Sequence, residues 1–210
     1  MAEQTARYEE RRRLEADRFE VSVGRLHVND ADFPYSFIRI RPGVCVLPLI
    51  EGEGEPQTVL IRQFRPATGS MQVELPAGAI DEGEQPRNTA ARELAEETGY
   101  VASELVDLGA FHPSPGATAE TIHLFLARCG GQTSDARPDA SEDIRQRVVP
   151  LSHLEGLIAS GEFRHGAGLA AWARAQARGL LSDQAQPATP RPAPQAGDVA
   201  RAAGQAEMRS

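Results

Sequence analysis

Apolar and polar positions alternate through most of the first half of the chain. Phe19, Val21 and Val23, then Leu26 and Val28, fall at every second position of FEVSVGRLHVND and predict a strand interrupted at Gly24. Two further strands are read in SFIRIRPGVCVLPLIEG, divided by Pro42-Gly43, and two more in QTVLIRQFR and MQVELPAG, joined by PATGS. The pattern then changes to that of one strong helix, roughly Pro86 to Thr98. Pro86 suits the first turn, where its missing N–H costs nothing, and Gly99 suits the position just past the end. Beyond it, ELVDLGAFHPSPGATAETIHLFLARC reads as strand, loop, strand, and PLSHLEGLIASGEF and GAGLAAWARAQARGLL as two C-terminal helices.

The two ends lack this patterning. Residues 5–17 are rich in Arg, Glu and Ala with only a thin apolar face, which predicts a short exposed helix. From Ser182 the chain is Pro, Ala and Gln with almost no large apolar residue, too little burial to offset ordering, so a disordered tail is expected. The expected organisation is therefore an N-terminal exposed helix at 1–18, a small antiparallel β region at 19–42, a main α/β (α+β) domain at 43–181 and a tail at 182–210.

Composition narrows the function. Against 30 Asp and Glu stand 22 Lys and Arg, a formal net charge of −8, which leaves no cationic excess for nucleic acid or an anionic membrane. A polyanionic small molecule would have to be met locally, by a few Arg residues or a bound cation. Cys45 and Cys129 form no CxxC pair, which fits a reducing compartment and suggests no zinc site. The N-terminal stretch is too charged for a signal peptide and no apolar run approaches a membrane span, so a cytoplasmic location is expected.

The sharpest chemical signal is GAIDEGEQPRNTAARELAEETGY, Gly78 to Tyr100. At about 100° per residue, Glu93, Glu96 and Glu97 share one arc of the helix, with Ala91, Leu94, Ala95 and Thr98 roughly opposite. Like charges at this spacing repel, so something positive belongs there. Side chains at i and i+4 stand about 5–6 Å apart, a spacing that can hold a divalent cation. Hard carboxylate oxygens favour Mg²⁺ or Mn²⁺ over zinc. RELAEE alone reads more readily as a solvated acidic face. The longer register, G-x5-E-x7-R-E-L-x-E-E-x-G-Y, fixes seven charged or Gly positions; at roughly 7% usage each, the chance of a match in this chain is about 10⁻⁶. The solvated face is the weaker reading.

That register resembles the Nudix box of hydrolases acting on nucleoside diphosphates linked to another moiety; Gly78, Glu84, Arg92, Glu93, Leu94, Glu96, Glu97, Gly99 and Tyr100 all match it. The resemblance implies the Nudix fold, a mixed β-sheet sandwiched between helices. It also implies that Glu93 and Glu97 hold Mg²⁺ or Mn²⁺, that Glu84 and the Ala77 carbonyl add ligands, that Glu96 assists and that Arg92 orients the glutamates. LIRQFRPA, ELPAGAIDEGE and HPSPGATAETIHLFLA are similar to segments of ADP-ribose pyrophosphatases. By that similarity Glu120 is the base or water-positioning residue, Arg65 and Arg62 are substrate contacts, and Glu74 lies near the terminal ribose. The implied reaction is hydrolysis of ADP-ribose to AMP and ribose 5-phosphate. Alternatives are a pyrophosphatase of other nucleotide sugars such as GDP-mannose, or of dinucleotides, and a non-catalytic ADP-ribose sensor. An isoprenoid diphosphate isomerase would need a catalytic Cys, whereas Cys45 sits in an apolar strand. The subfamily likeness further implies a homodimer, and strands at 19–42 with few partners of their own point the same way.

Overall fold

The computed structural model describes residues 6–52, 54–132 and 144–181. The chain opens with a three-stranded antiparallel sheet of β1 (Ala6–Glu15), β2 (Phe19–Val28) and β3 (Ala31–Ile40), in that order. The helix expected at 1–18 is thus a strand over its described part. Helix propensity is a weak prior, and here pairing overrides it: β1 runs along β2 from Ala6↔Val28 to Glu15↔Glu20. Its charges find partners across the hairpin, Arg13 reaching Glu20 at 3.3 Å and His27 reaching Glu9 at 3.4 Å. Tyr8 packs edge-on to Phe37 with ring centroids 5.2 Å apart. Gly24 does not interrupt β2. It lets the Tyr8 ring and the Glu9 carbonyl lie against the backbone, where a Cβ would overlap both, and the irregularity falls opposite it, at Arg11 of β1.

The main sheet contains β4 (Gly43–Ile50), β5 (Gln57–Arg65), β6 (Ser70–Glu74), β7 (Ala77–Ala79), β8 (Ala102–Phe111), β9 (Ile122–Cys129) and β10 (Arg145–Pro150). Its order is β10-β5-β4-β9-β8, with β6 on β5 and β7 on β4. β4 and β9 are parallel and the other pairs antiparallel, so the sheet is mixed. Helix α1 (Pro86–Thr98) covers one face, and α2 (Leu151–Ser160) and α3 (Gly166–Ala177) cover the other.

The continuous apolar run of β4 follows from burial on both faces. Val44 and Val46 pack with Ala90 and Leu94 of α1, while Cys45, Leu47 and Leu49 pack with Leu154 of α2 and Ala171 of α3. Leu47 and Leu94 are fully buried, and truncating either to Ala would cost about 2–5 kcal/mol. The expected layer order is therefore present, and it leaves the ends of β4, β5 and β7 open between α1 and α3. Among the described residues no helix is long and apolar enough to cross a membrane. The tail expected at 182–210 lies outside the described residues.

Candidate active site

Helix α1 begins and ends as its sequence dictates. Pro86 occupies the first turn, and Gly99 closes the helix at φ 71°, donating its N–H to the Ala95 carbonyl at 2.8 Å. The acidic arc is rotated from its sequence reading: Ala91 is exposed, whereas Glu97 is only 2% exposed. Glu97 faces the start of β7 and accepts the Ala77 N–H at 3.0 Å. A buried carboxylate needs such a donor, since losing water without one is costly.

Arg92 answers the repulsion expected on this arc. Its Nη1 donates to Glu93 at 2.8 Å and to Glu96 at 3.0 Å, while Nε and Nη2 donate to the two oxygens of Glu84 at 3.3 and 3.0 Å. The guanidinium is held charged by these neighbours, Glu84 foremost. In turn Arg92, with help from Thr89, holds the Glu84 carboxyl below the usual range. Gly78 of β7 completes the arrangement: a Cβ there would overlap the Glu93 carboxylate, so only Gly lets that carboxylate lie against the strand backbone.

The available donors, carboxylates of Glu84, Glu93, Glu96 and Glu97 and the Ala77 carbonyl, fit a hard divalent cation. Among the described residues, no three side chains of His, Cys, Asp or Glu already converge as ligands. Arg92 spreads three of the carboxylates about itself, and they would have to turn from it to a cation.

The opposite wall is basic. Arg65, at the end of β5, grips Glu74 of β6 through two parallel bonds, Nε to Oε1 at 2.9 Å and Nη2 to Oε2 at 2.7 Å. Burial pushes the Glu74 carboxyl up, but Arg65 and the nearby His165 outweigh it and hold it below its ordinary value. His165 stands at the N-terminal boundary of α3 and accepts the Leu75 N–H on Nδ1 at 3.1 Å. Burial lowers its pKa despite Glu74 nearby.

Glu120 lies on the loop between β8 and β9, half-buried, and burial raises its pKa. The N-terminal sheet fixes this loop. The Ile38 N–H of β3 donates to Ala117 at 2.9 Å, Ala119 donates back to Ile38 at 2.8 Å, and the Tyr35 hydroxyl donates to Gly116 at 2.9 Å. Behind it, His112 Nδ1 donates to the Glu120 carbonyl at 3.0 Å.

All of this surrounds one cleft of about 1000 Å³. Of the residues singled out in the sequence, Arg65, Ala77, Arg92, Glu93, Glu96, Glu97 and Glu120 line it. Glu84 and Glu74 stand behind, as partners of Arg92 and Arg65. Arg62 does not line the cleft: it is exposed on β5, in register with Arg145 and Val73. Sequence reading missed His165, Arg18 and Arg41, which do line it. A single His gives no periodic signal, and Arg18 sits in a hairpin turn at the end of the stretch whose composition favours a helix.

Comparison with known proteins agrees with this geometry. The NUDIX domain family model matches residues 39–171, from the end of β3 into α3. The chain is 37% identical over 150 residues to the ADP-ribose pyrophosphatase of Bacillus subtilis (strain 168), covering 69% of this chain and 80% of that protein. It is 33% identical over 146 residues to the GDP-mannose pyrophosphatase of Klebsiella pneumoniae subsp. pneumoniae, covering 64% of this chain and 71% of that one. It is 37% identical over 115 residues to the methanol dehydrogenase activator of Bacillus methanolicus, covering 52% of this chain and 61% of that one. With the matched span carrying the acidic helix, the glycine strand beside it and the loop that faces both, the chain belongs to the Nudix family.

Proposed function

We propose that this Nudix hydrolase cleaves the pyrophosphate bond of ADP-ribose with water, giving AMP and ribose 5-phosphate. The observation that carries the reading is a single cleft with the carboxylates of α1 on one wall, the Arg65 fork on the other and Glu120 beside them. The choice of ADP-ribose rests on the similarity to the Bacillus subtilis ADP-ribose pyrophosphatase. GDP-mannose is the second reading, favoured by the similarity to the Klebsiella enzyme.

Glu93 and Glu97 would hold Mg²⁺ or Mn²⁺, with Glu84, Glu96 and the Ala77 carbonyl in support. When bound, such a cation neutralises phosphate charge and acidifies water. Arg65 supplies a fixed positive fork to the diphosphate, and Glu74 holds that fork in plane. Glu120 takes the proton of the attacking water; burial raises its pKa, which makes it a stronger base than an exposed glutamate. Arg92 offsets part of the negative charge of Glu84, Glu93 and Glu96. A bare sensor of ADP-ribose would not need Glu93, Glu96 and Glu97 facing Glu120 in one cleft.

We also infer a homodimer. Strand β1 is exposed along nearly its whole length, and Leu14, Phe19 and Phe33 are exposed on the N-terminal sheet. A fully active monomer by light scattering at assay concentration would overturn this part.

The experiment that tests the reaction is a panel of nucleoside diphosphate derivatives with Mg²⁺ or Mn²⁺, products followed by chromatography. ADP-ribose should give AMP and ribose 5-phosphate with the highest kcat/KM. A preference for GDP-mannose would move the assignment to the second reading, and no cleavage of any member would end it.

A further inference from the structure

His165 has no part in the family register, yet it is one of the most constrained polar side chains of the cleft. Its side chain is 15% exposed, with Nε2 at 3.9 Å from Glu74 Oε2. Although it occupies the capping position of α3, its side chain makes no capping bond there. The ring turns instead toward the end of β6, where Nδ1 accepts the Leu75 N–H. Phe163 stands edge-on to it at 6.2 Å and 75°. Gly168, one turn into α3, leaves the room both rings need: a Cβ there would come within 2.6 Å of Phe163 and 3.0 Å of His165 Nδ1. The ring is therefore held on three sides.

These contacts fix the tautomer. A backbone N–H can only donate, so Nδ1 carries no proton and the ring proton is on Nε2. Nε2 is the ring nitrogen that approaches the Glu74 carboxylate, which orients Arg65. At 3.9 Å the two are too far apart for a direct hydrogen bond but close enough for an electrostatic hold or one bridging hydroxyl or water. An Arg fork is useful only when its plane is fixed, because its bonds to phosphate oxygens are directional. Glu74 fixes that plane from one side, and His165 stands behind Glu74.

We propose that His165 is a positioning residue: as the Nε2–H tautomer it holds Glu74 in place, and through Glu74 it aims the Arg65 guanidinium at the diphosphate. This deepens the proposed reaction and rests on it only for the kinetic arm of the test. The structural arm needs no substrate. Nitrogen-15 NMR of the free protein should show His165 with Nδ1 unprotonated and Nε2 protonated, and a slowly exchanging Arg65 Nε–H. In His165→Asn the side-chain oxygen can still accept the Leu75 N–H, so the fold should survive, while the Nε2–H is lost. Arg65 Nε–H exchange should then rise at least tenfold. In the kinetic arm, KM for whichever diphosphate derivative is cleaved should rise about tenfold with kcat changed less than threefold. In an Arg65→Ala background the same His165→Asn change should leave KM unaltered, since the fork it acts through is gone. His165→Gln, which reaches the Nε2 position with an amide N–H, should recover Arg65 protection in part if it folds.

An Nδ1–H tautomer in the wild type, or unchanged Arg65 exchange in a folded His165→Asn, would overturn the proposal. So would KM effects that add fully in the double variant. If no diphosphate derivative is cleaved, the proposed function fails, while the NMR arm still decides the role of His165.

Discussion

Arg92 and Glu84, eight residues apart, are joined by two hydrogen bonds from one guanidinium, and the nitrogen left over is shared between Glu93 and Glu96. One cation thus stabilises three carboxylates that would otherwise repel. Arg92→Gln should destabilise the metal-free protein by about 1 kcal/mol, since the group is partly exposed, and so lower its melting temperature. The variant should also gain more from added Mg²⁺ than the wild type does. Thermal shift with and without Mg²⁺ measures both, and equal Mg²⁺ shifts in the two proteins would contradict this account.

Gly78→Ala separates fold from chemistry. The added methyl overlaps only the far end of the Glu93 side chain, which can swing away, so the sheet should survive. Glu93 would then be displaced from β7. Circular dichroism should be unchanged, while the Mg²⁺ concentration for half-maximal activity rises at least about tenfold, as expected for losing one charged ligand contact.

Glu97 distinguishes charge from hydrogen bonding. Glu97→Gln keeps an oxygen for the Ala77 N–H, so the fold should hold, yet turnover should fall at least about a hundredfold with the lost charge. Glu97→Ala also leaves the part-buried Ala77 N–H without this acceptor and should cost a further ~1 kcal/mol of stability. Near wild-type turnover of the Gln variant at limiting Mg²⁺ would remove Glu97 from the site.

Glu120→Gln should depress turnover by about a hundredfold or more with little change in KM, the signature of an interaction made in the transition state. A raised KM at unchanged turnover would make Glu120 a binding residue and place the base elsewhere.

Stability should depend on pH through the basic wall. His165 has a folded pKa below its ordinary 6.5, because burial disfavours the imidazolium. The unfolded chain therefore binds more protons in this window, so the contribution is present above pH 6.5 and is lost as pH falls below it. Glu74, also depressed, acts in the same sense below its ordinary 4.5. His165→Asn should flatten the fall in melting temperature just below pH 6.5 and lessen, without abolishing, the fall below pH 4.5, since Arg65 still holds Glu74. Scanning calorimetry across this range reads both limbs.

Much of the fold could be read in the sequence where one force dominated. The bounds of α1 were set by Pro86 and Gly99, and β4 announced itself by an apolar run that only two-sided burial explains. Where forces competed, the reading failed. The Arg- and Glu-rich opening favours a helix locally, and only the cross-strand partners on β2 make β1 a strand. Helical periodicity placed Glu97 outward because a carboxylate is assumed to seek water, whereas the Ala77 N–H takes water's place. Glu93, Glu96 and Glu97 were legible because they share one helix. His165 and Arg18 were not, because tertiary packing alone brings them to the cleft.

The two backbone bonds that Ile38 makes to the Glu120 loop carry a consequence for where this enzyme begins. The recognisable family span starts at residue 39, one position after the residue that latches the loop. Cut at that boundary, the chain would retain its acidic helix, its glycine strand and every side chain assigned to the reaction. Yet the loop bearing Glu120 would lose its bonds to Ile38 and Tyr35 and keep only those at its far end, from His112 and Gly43. The stretch that matches the family is thus shorter than the stretch that includes the strand bonded to the Glu120 loop. A minimal version of this protein is defined by β3, not by the motif.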